Sequence, residues 1–422
     1  MISVLNHQRL LSGNKFFYVV FFLIVLGSCS PKTTPVIKKS IPDEEVVVSK
    51  PITEEPLIEA PKKAVLKPEM VISLLLPFEL DVIDYANASL KDLDKAKIAL
   101  DFYQGFKMGL DSIAINGDAQ FRLQVFDSKD DPTQLGTLAA KPSIKNSDLI
   151  VGPIFPNGVK SFSTYSKSLK IPLVSPLAAS DPEVFNNPYL ITVNNSLDQH
   201  TYKAVSFIKT ELKPKKVILI RSGDAEEYKY AVPFKKGMDS LAKGLSFSQI
   251  GIKAVGYANV YKYLNPIGLN VIVLPSTDRV FLVTLFKELE KLTGKFQIAV
   301  IGHPGWERAQ FLDFSLLEKL NTYLTSAYQI DYKSTRNLEF IKHYRSQFSL
   351  EPSEYAFKGF DVGYYFGKLM SEKGKDFLIE LTKQPFDGIH NDFKFVKDAK
   401  FGYYNSNLMV LKYQEGQLKK VN

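Results

Sequence analysis

From residue 70 onward, short apolar runs alternate with longer stretches in which apolar residues recur every three or four positions. Most of the runs at 71–76, 122–126, 148–151, 171–174, 216–220, 271–274 and 296–301 are nearly continuous in Val, Ile and Leu. Such runs predict strands buried on both faces. Between them, Ile98, Phe102, Phe106 and Leu110 repeat every four residues and make one apolar stripe of a helix. Thr277 or Asp278 is placed to cap a second helix carrying Phe281, Leu282, Leu285, Phe286 and Leu289. Strand–helix alternation at this spacing predicts parallel sheets with helices on both faces. The strands are too many for one tidy sheet, so the pattern predicts two α/β lobes. Near the end, 392–396, 402–404 and 408–413 read as short strands joined by turns, one of them Gln414-Glu415-Gly416. They predict an antiparallel finish.

The pattern before residue 70 is different. Residues 30–69 hold seven prolines and no aromatic residue, with seven Lys against seven Asp or Glu. A segment of this kind cannot bury enough apolar surface to offset its ordering entropy and predicts an extended tether. The first 28 residues carry Arg9 and Lys15, no acid, and an apolar run over 16–26. That run has about half the ~20 residues a spanning helix needs, and with small residues after it the segment predicts a secretory signal. Leu26-Gly27-Ser28-Cys29 resembles the lipobox of bacterial lipoproteins. The resemblance implies that Cys29 becomes the diacylated N-terminus once 1–28 is removed. Cys29 is the one cysteine of the chain, so no disulfide framework is expected and lipidation would consume an otherwise unpaired thiol. Residue 30 is Ser, not the Asp that resembles an inner-membrane retention signal, and no acidic cluster follows Cys29. The expected location is the outer membrane, facing the periplasm.

Charge and composition narrow the chemistry. The 422-residue chain is 45% apolar and 12% aromatic, with a net charge of +8. Losing Arg9 and Lys15 leaves +6, spread largely as single residues, and no nucleic-acid-binding motif occurs. Ser240-Leu241-Ala242-Lys243 has the Ser-x-x-Lys spelling of serine acyl enzymes without its companion boxes, and reads as a solvent-facing helix. The five histidines are isolated, and no Walker loop, Gly-x-Ser-x-Gly or His-Glu-x-x-His is present. No enzyme, metal site or cofactor is expected. Asp127, Asp130 and Asp131 read as turn and helix-cap residues. Gly359, Gly363 and Gly367 form a ladder interrupted by charge, which predicts close helix packing outside a membrane.

Several stretches together resemble the type I periplasmic solute-binding family, the branched-chain amino-acid receptors. They are Leu74-Leu75-Leu76-Pro77-Phe78, Ala99 to Gly105, Val125-Phe126-Asp127, Asp148 to Pro153, Ile171 to Pro176 and Tyr355 to Asp361. The resemblance covers roughly 70–415. It implies two lobes joined by three crossovers, with 70–194 plus 330–383 in lobe I and 195–329 plus 384–422 in lobe II. It places a small solute in the cleft, against loops after Gly152, Ser175 and Arg221 and around Gly302 to Trp306. The residues so implicated are Phe78, Asn157, Ser175, Ala178, Ser180, Ser222 and Trp306, with Trp306 set either to stack on a ligand or to pack in the core. Asp361 is implied to cap a neighbouring turn.

The chain departs from that family where amino acids are held. Pro156 stands where a hydroxyl residue would bind the ligand carboxylate, and Ala179 precedes a displaced Ser180. In the later loop Gly302-His303-Pro304-Gly305-Trp306 has no acid before Glu307. A buried ammonium without a carboxylate costs several kcal/mol, so free α-amino acids are not the expected ligands. The opening also resembles Bacteroidetes-type proteins that join this scaffold to a peptidoglycan-binding LysM module, here replaced by a lipid and tether. The expected function is therefore a lipid-anchored solute receptor working with an ABC permease. The alternative is a cell-envelope adaptor acting on peptidoglycan-synthesis proteins through the same scaffold.

Overall fold

The computed structural model describes residues 68–421 apart from Val82 and Tyr85, so Cys29, the signal and the tether lie outside the described residues. Seven strands build each of two sheets. In the first, β1 (Glu69–Leu76), β2 (Gln120–Asp127), β3 (Leu149–Val151), β4 (Leu173–Ser175) and β5 (Leu190–Thr192) run parallel. In the second, β6 (Lys216–Arg221), β7 (Phe247–Gly251), β8 (Leu269–Leu274), β9 (Gln297–Gly302) and β10 (Thr322–Ser326) do the same. Four late strands complete the edges: β11 (Phe395–Asp398), β12 (Gly402–Asn405), β13 (Met409–Gln414) and β14 (Gln417–Lys420). The orders are β11-β12-β5-β4-β3-β1-β2 and β14-β13-β10-β9-β8-β6-β7.

Continuous apolar strands form because each feeds two cores. Met70, Ile72, Leu74 and Leu76 enter one hydrophobic cluster while Leu75 enters another on the opposite face. In the second sheet Ile218 and Ile220 face one cluster, and Val217 and Leu219 the other. Helices cover these faces: α1 (Leu90–Asn116), α2 (Pro132–Ala140), α3 (Pro156–Leu169), α4 (Leu197–Phe207), α5 (Tyr228–Leu241), α6 (Arg279–Leu292), α7 (Thr335–Phe348) and α8 (Glu354–Lys373). The expected caps are in place. Asp278 accepts the Phe281 N–H at 2.6 Å, and Asp131 accepts that of Gln134 at 2.7 Å. Asp127 takes the N–H groups of Glu79 and Leu80, tying the loop after β1 to the end of β2.

The glycine ladder of α8 packs on α1. A Cβ on Gly359 would come within 2.2 Å of the Phe102 carbonyl oxygen, and one on Gly363 within 2.2 Å of that of Phe106. Gly105 answers from α1, where a Cβ would fall 1.9 Å from the Ala356 oxygen. Missing side chains let the two backbones meet, which fixes α8 and the residues at its start.

The chain passes between the sheets after β5, after β10 and after β12, at 193–196, 327–334 and 406–408. This corrects the assignment of all of 384–422 to lobe II. β12 runs parallel to β5, pairing Tyr403 with Ile191, and Phe395 and Tyr403 enter the first lobe's core. Only β13 and β14 join the second sheet, where β13 lies antiparallel to β10. The antiparallel finish therefore has one exception, the parallel β12–β5 pair. Another small correction falls at β1, which begins at Glu69, inside the segment read as tether. The apolar pattern does not mark β5, β7 or β10. The first is three residues long, and the others read Phe-Ser-Gln-Ile-Gly and Thr-Tyr-Leu-Thr-Ser.

Candidate functional site

Open α/β sheets bind ligands beyond the C-terminal ends of their strands. Here those ends meet the crossovers around a cavity of ≈ 320 Å³. Loops after β3 and β4 supply Phe155, Pro156, Leu177, Ala178 and Ala179, and the first crossover supplies Asn194 and Asn195. From the second lobe come His200 on α4 and Arg308 after β9, and from the second crossover Tyr328.

Helix α8 provides the charged wall. Ser353 caps it by accepting the Tyr355 N–H at 3.2 Å, so the helix starts at Glu354. Glu354, Tyr355 and Lys358 then share one face, as the helical repeat requires, and all three line the cavity. Lys358 is 4% exposed, and its Nζ donates to Asn194 Oδ1. Asn194 is fixed by its own donation to the Leu177 carbonyl at 2.6 Å. Burial drives the Lys358 ammonium from 10.5 down to about 7, against the pull of Glu354 and Asp361. Asp361 is committed elsewhere: it accepts the N–H groups of Ile389, His390 and Asn391 at 2.8–2.9 Å, which is the turn-capping role implied for it. Its cap holds the His390 ring at the cavity.

The two lobes are also latched across the cleft. Arg308 donates to Glu354 Oε1 at 2.6 Å, and Tyr328 donates its hydroxyl to Glu354 Oε2 at 2.6 Å. The Tyr328 ring stacks on His390 with centroids 4.2 Å apart and planes 9° from parallel. Burial keeps His390 well below its ordinary value and His200 at about 4, so both rings are neutral at pH 7. The neutral His200 ring meets Thr325 Oγ1 at 2.9 Å. The arrangement offers an apolar and aromatic chamber, a buried lysine and neutral imidazoles.

The residues implicated from sequence are dispersed. Ala178 lines the cavity. Ser175 is fully buried in β4, and its hydroxyl has no hydrogen-bond partner among the described residues. Ser180 follows Ala179 outside the cavity lining. Asn157 is exposed in the first turn of α3. Phe78 packs edge-on against Tyr103 and lines a separate apolar groove with Leu80 and Leu90. Ser222 turns its hydroxyl to the Asp224 N–H. Trp306 is 1% exposed, donates its indole N–H to the Ser276 carbonyl at 2.8 Å and packs edge-on against Phe286. Of its two readings, the core one holds. Gly302 makes the room, since a Cβ there would lie 2.2 Å from the indole. Among the described residues, no group of three or more acidic, His or Cys side chains is placed to hold a metal, and no helix is long and apolar enough to cross a membrane.

Two mostly parallel seven-stranded sheets, three crossovers and a cavity at the strand ends define a two-lobed binding protein of type I architecture. The family described as periplasmic binding protein matches residues 95–417, and the chain belongs to it. Solved structures agree in fold. A putative branched-chain amino acid ABC transporter protein from Rhodospirillum rubrum aligns with TM-score 0.62 and 14% identity, over 84% of this chain and 100% of that one. An ABC transporter substrate-binding protein from Desulfitobacterium hafniense in complex with Leu gives 0.55 and 14%, over 84% and 100%. A solute-binding protein from Rhodopseudomonas palustris in complex with 3,4-dihydroxy benzoic acid gives 0.50 and 16%, over 84% and 96%. No curated protein matches the chain.

Proposed function

We propose that the protein is a periplasmic receptor that holds a small solute between its lobes for an ABC-type permease. In this reading a lipid on Cys29 anchors it to the outer membrane, and 30–69 serves as the tether. The observation that carries the proposal is the cleft cavity, walled by loops of both lobes and latched by Arg308 and Glu354. Its ≈ 320 Å³ lies at the small end of ligand pockets. Leucine and 3,4-dihydroxy benzoic acid, the ligands held by two of the structural relatives, are solutes of a size that such a volume suits.

Free α-amino acids are disfavoured. An ammonium in this cleft needs a carboxylate, and both oxygens of Glu354 are already engaged by Arg308 and Tyr328. Calorimetric titration of the full chain, purified in detergent, with the common amino acids, sugars and small organic acids tests the proposal. Binding of one solute in the micromolar range or tighter is expected, and leucine is expected not to bind. Silence across the panel would count against a solute receptor.

A further inference from the structure

We infer that Lys358 is the anion-recognising residue of the cleft and that the solute it selects is a small organic acid, bound with Asn194 and His390 beside its charged end. This rests on the cleft being the solute site and names the chemistry of its ligand. Lys358 Nζ has three protons to donate. One goes to Asn194 Oδ1, and among the described residues no carboxylate reaches it at ion-pair distance. The two acids of its own helix are spent, Glu354 on Arg308 and Tyr328, Asp361 on the 389–391 turn. The other charged groups of the lining, Arg308 and Glu354, pair with each other, and His390 and His200 face the cavity as neutral rings. A buried cation in a chamber whose remaining walls are apolar, neutral or already paired is half of an ion pair. The cavity is the space for the other half, and Phe155, Leu177 and Tyr355 would pack the remainder of the acid.

Binding then carries a proton signature. The free ammonium titrates at about 7 because burial opposes its charge. A carboxylate beside it restores the charge, so above that pH the complex takes up a proton as it forms. Affinity is highest below about pH 7 and falls as pH rises from there.

The test uses the full chain and three acids, benzoate, succinate and lactate, each beside its uncharged amide, with glucose and leucine as further probes. At least one acid is expected to bind, with its amide tenfold or more weaker. Calorimetry at about pH 8.5 in two buffers of different ionisation heat should show proton uptake approaching one per ligand. Lys358→Met should weaken the acid at least tenfold while its circular dichroism matches the wild type. Proton uptake is measured on the unmutated protein, so the inference does not depend on that variant folding. Failure of all three acids, equal binding of acid and amide, or the absence of proton uptake would overturn it. If glucose or leucine binds while the acids do not, the anion site falls and the receptor reading survives. If nothing binds, both fall.

Discussion

Replacing Lys358 by Met should make the folded protein more stable. The ammonium is fully buried, and its value drops from 10.5 in the unfolded chain to about 7 in the folded one. At 1.36 kcal/mol per pKa unit, that difference is a cost to folding of up to about 5 kcal/mol. Met has a similar length and no charge to desolvate. It does leave Asn194 Oδ1 without its donor, which returns about 1–3 kcal/mol. The net expectation is a gain of about 2–4 kcal/mol near pH 7, in line with other buried charges replaced by apolar groups. The direction with pH follows from linkage. The unfolded chain holds this proton more tightly than the folded one, so the cost is full below about pH 7. It shrinks as pH rises toward 10.5 and is absent above it. Urea unfolding of both proteins at about pH 7 and about pH 9.5 measures this, with the gain present at the first and near zero or reversed at the second. A variant less stable than wild type at pH 7, or a gain that ignores pH, would refute the idea that Lys358 is an uncompensated buried cation.

Other consequences can be checked as directly. Gly359→Ala drives a methyl into the Phe102 carbonyl of α1 and should cost about 2–3 kcal/mol in the same urea assay. Trp306→Phe loses the bond to Ser276 and leaves a void beside Phe286, for about 2–4 kcal/mol. Wild-type tryptophan emission should be blue-shifted and unmoved by ligand, because the indole lies in the core. Fatty-acid labelling of growing cells should mark the wild type and miss Cys29→Ser.

What could be read from the sequence follows from what periodicity reports. Runs such as 71–76 and 271–274 are legible as strands because both faces of each sheet are buried, which removes polar residues from the run. β7 and β10 are missed for the opposite reason. Phe247–Gly251 is an edge strand with half-exposed positions, and Thr322–Ser326 buries hydroxyl residues, two of which find partners, Thr325 in the distant His200 and Ser326 in the nearby Tyr328. The site was less legible than the fold. Asn194, Arg308, Tyr328, Glu354, Lys358 and His390 come from five separate stretches, and no local pattern links them. One signal was available: Tyr355 and Lys358 lie within the 355–361 segment that carries the family resemblance, and a lysine directly before a glycine ladder on a buried helix must face something. Trp306 misled in part because a loop position says nothing about which way a side chain turns; the small Gly302 beside it was the clue to an inward ring.

Native mass spectrometry of the protein purified from its own cells, beside an Ala179→Trp variant, tests the central claim most directly. Ala179 is exposed on the loop after β4 and borders the cavity, so an indole there fills the cleft without disturbing a core. The wild type should carry a small acidic molecule in stoichiometric amount that is released on denaturation, and Ala179→Trp, folded to the same degree, should carry none. A wild type without any bound molecule even after incubation with cell extract, or the same molecule retained by Ala179→Trp, would contradict a solute site between the lobes.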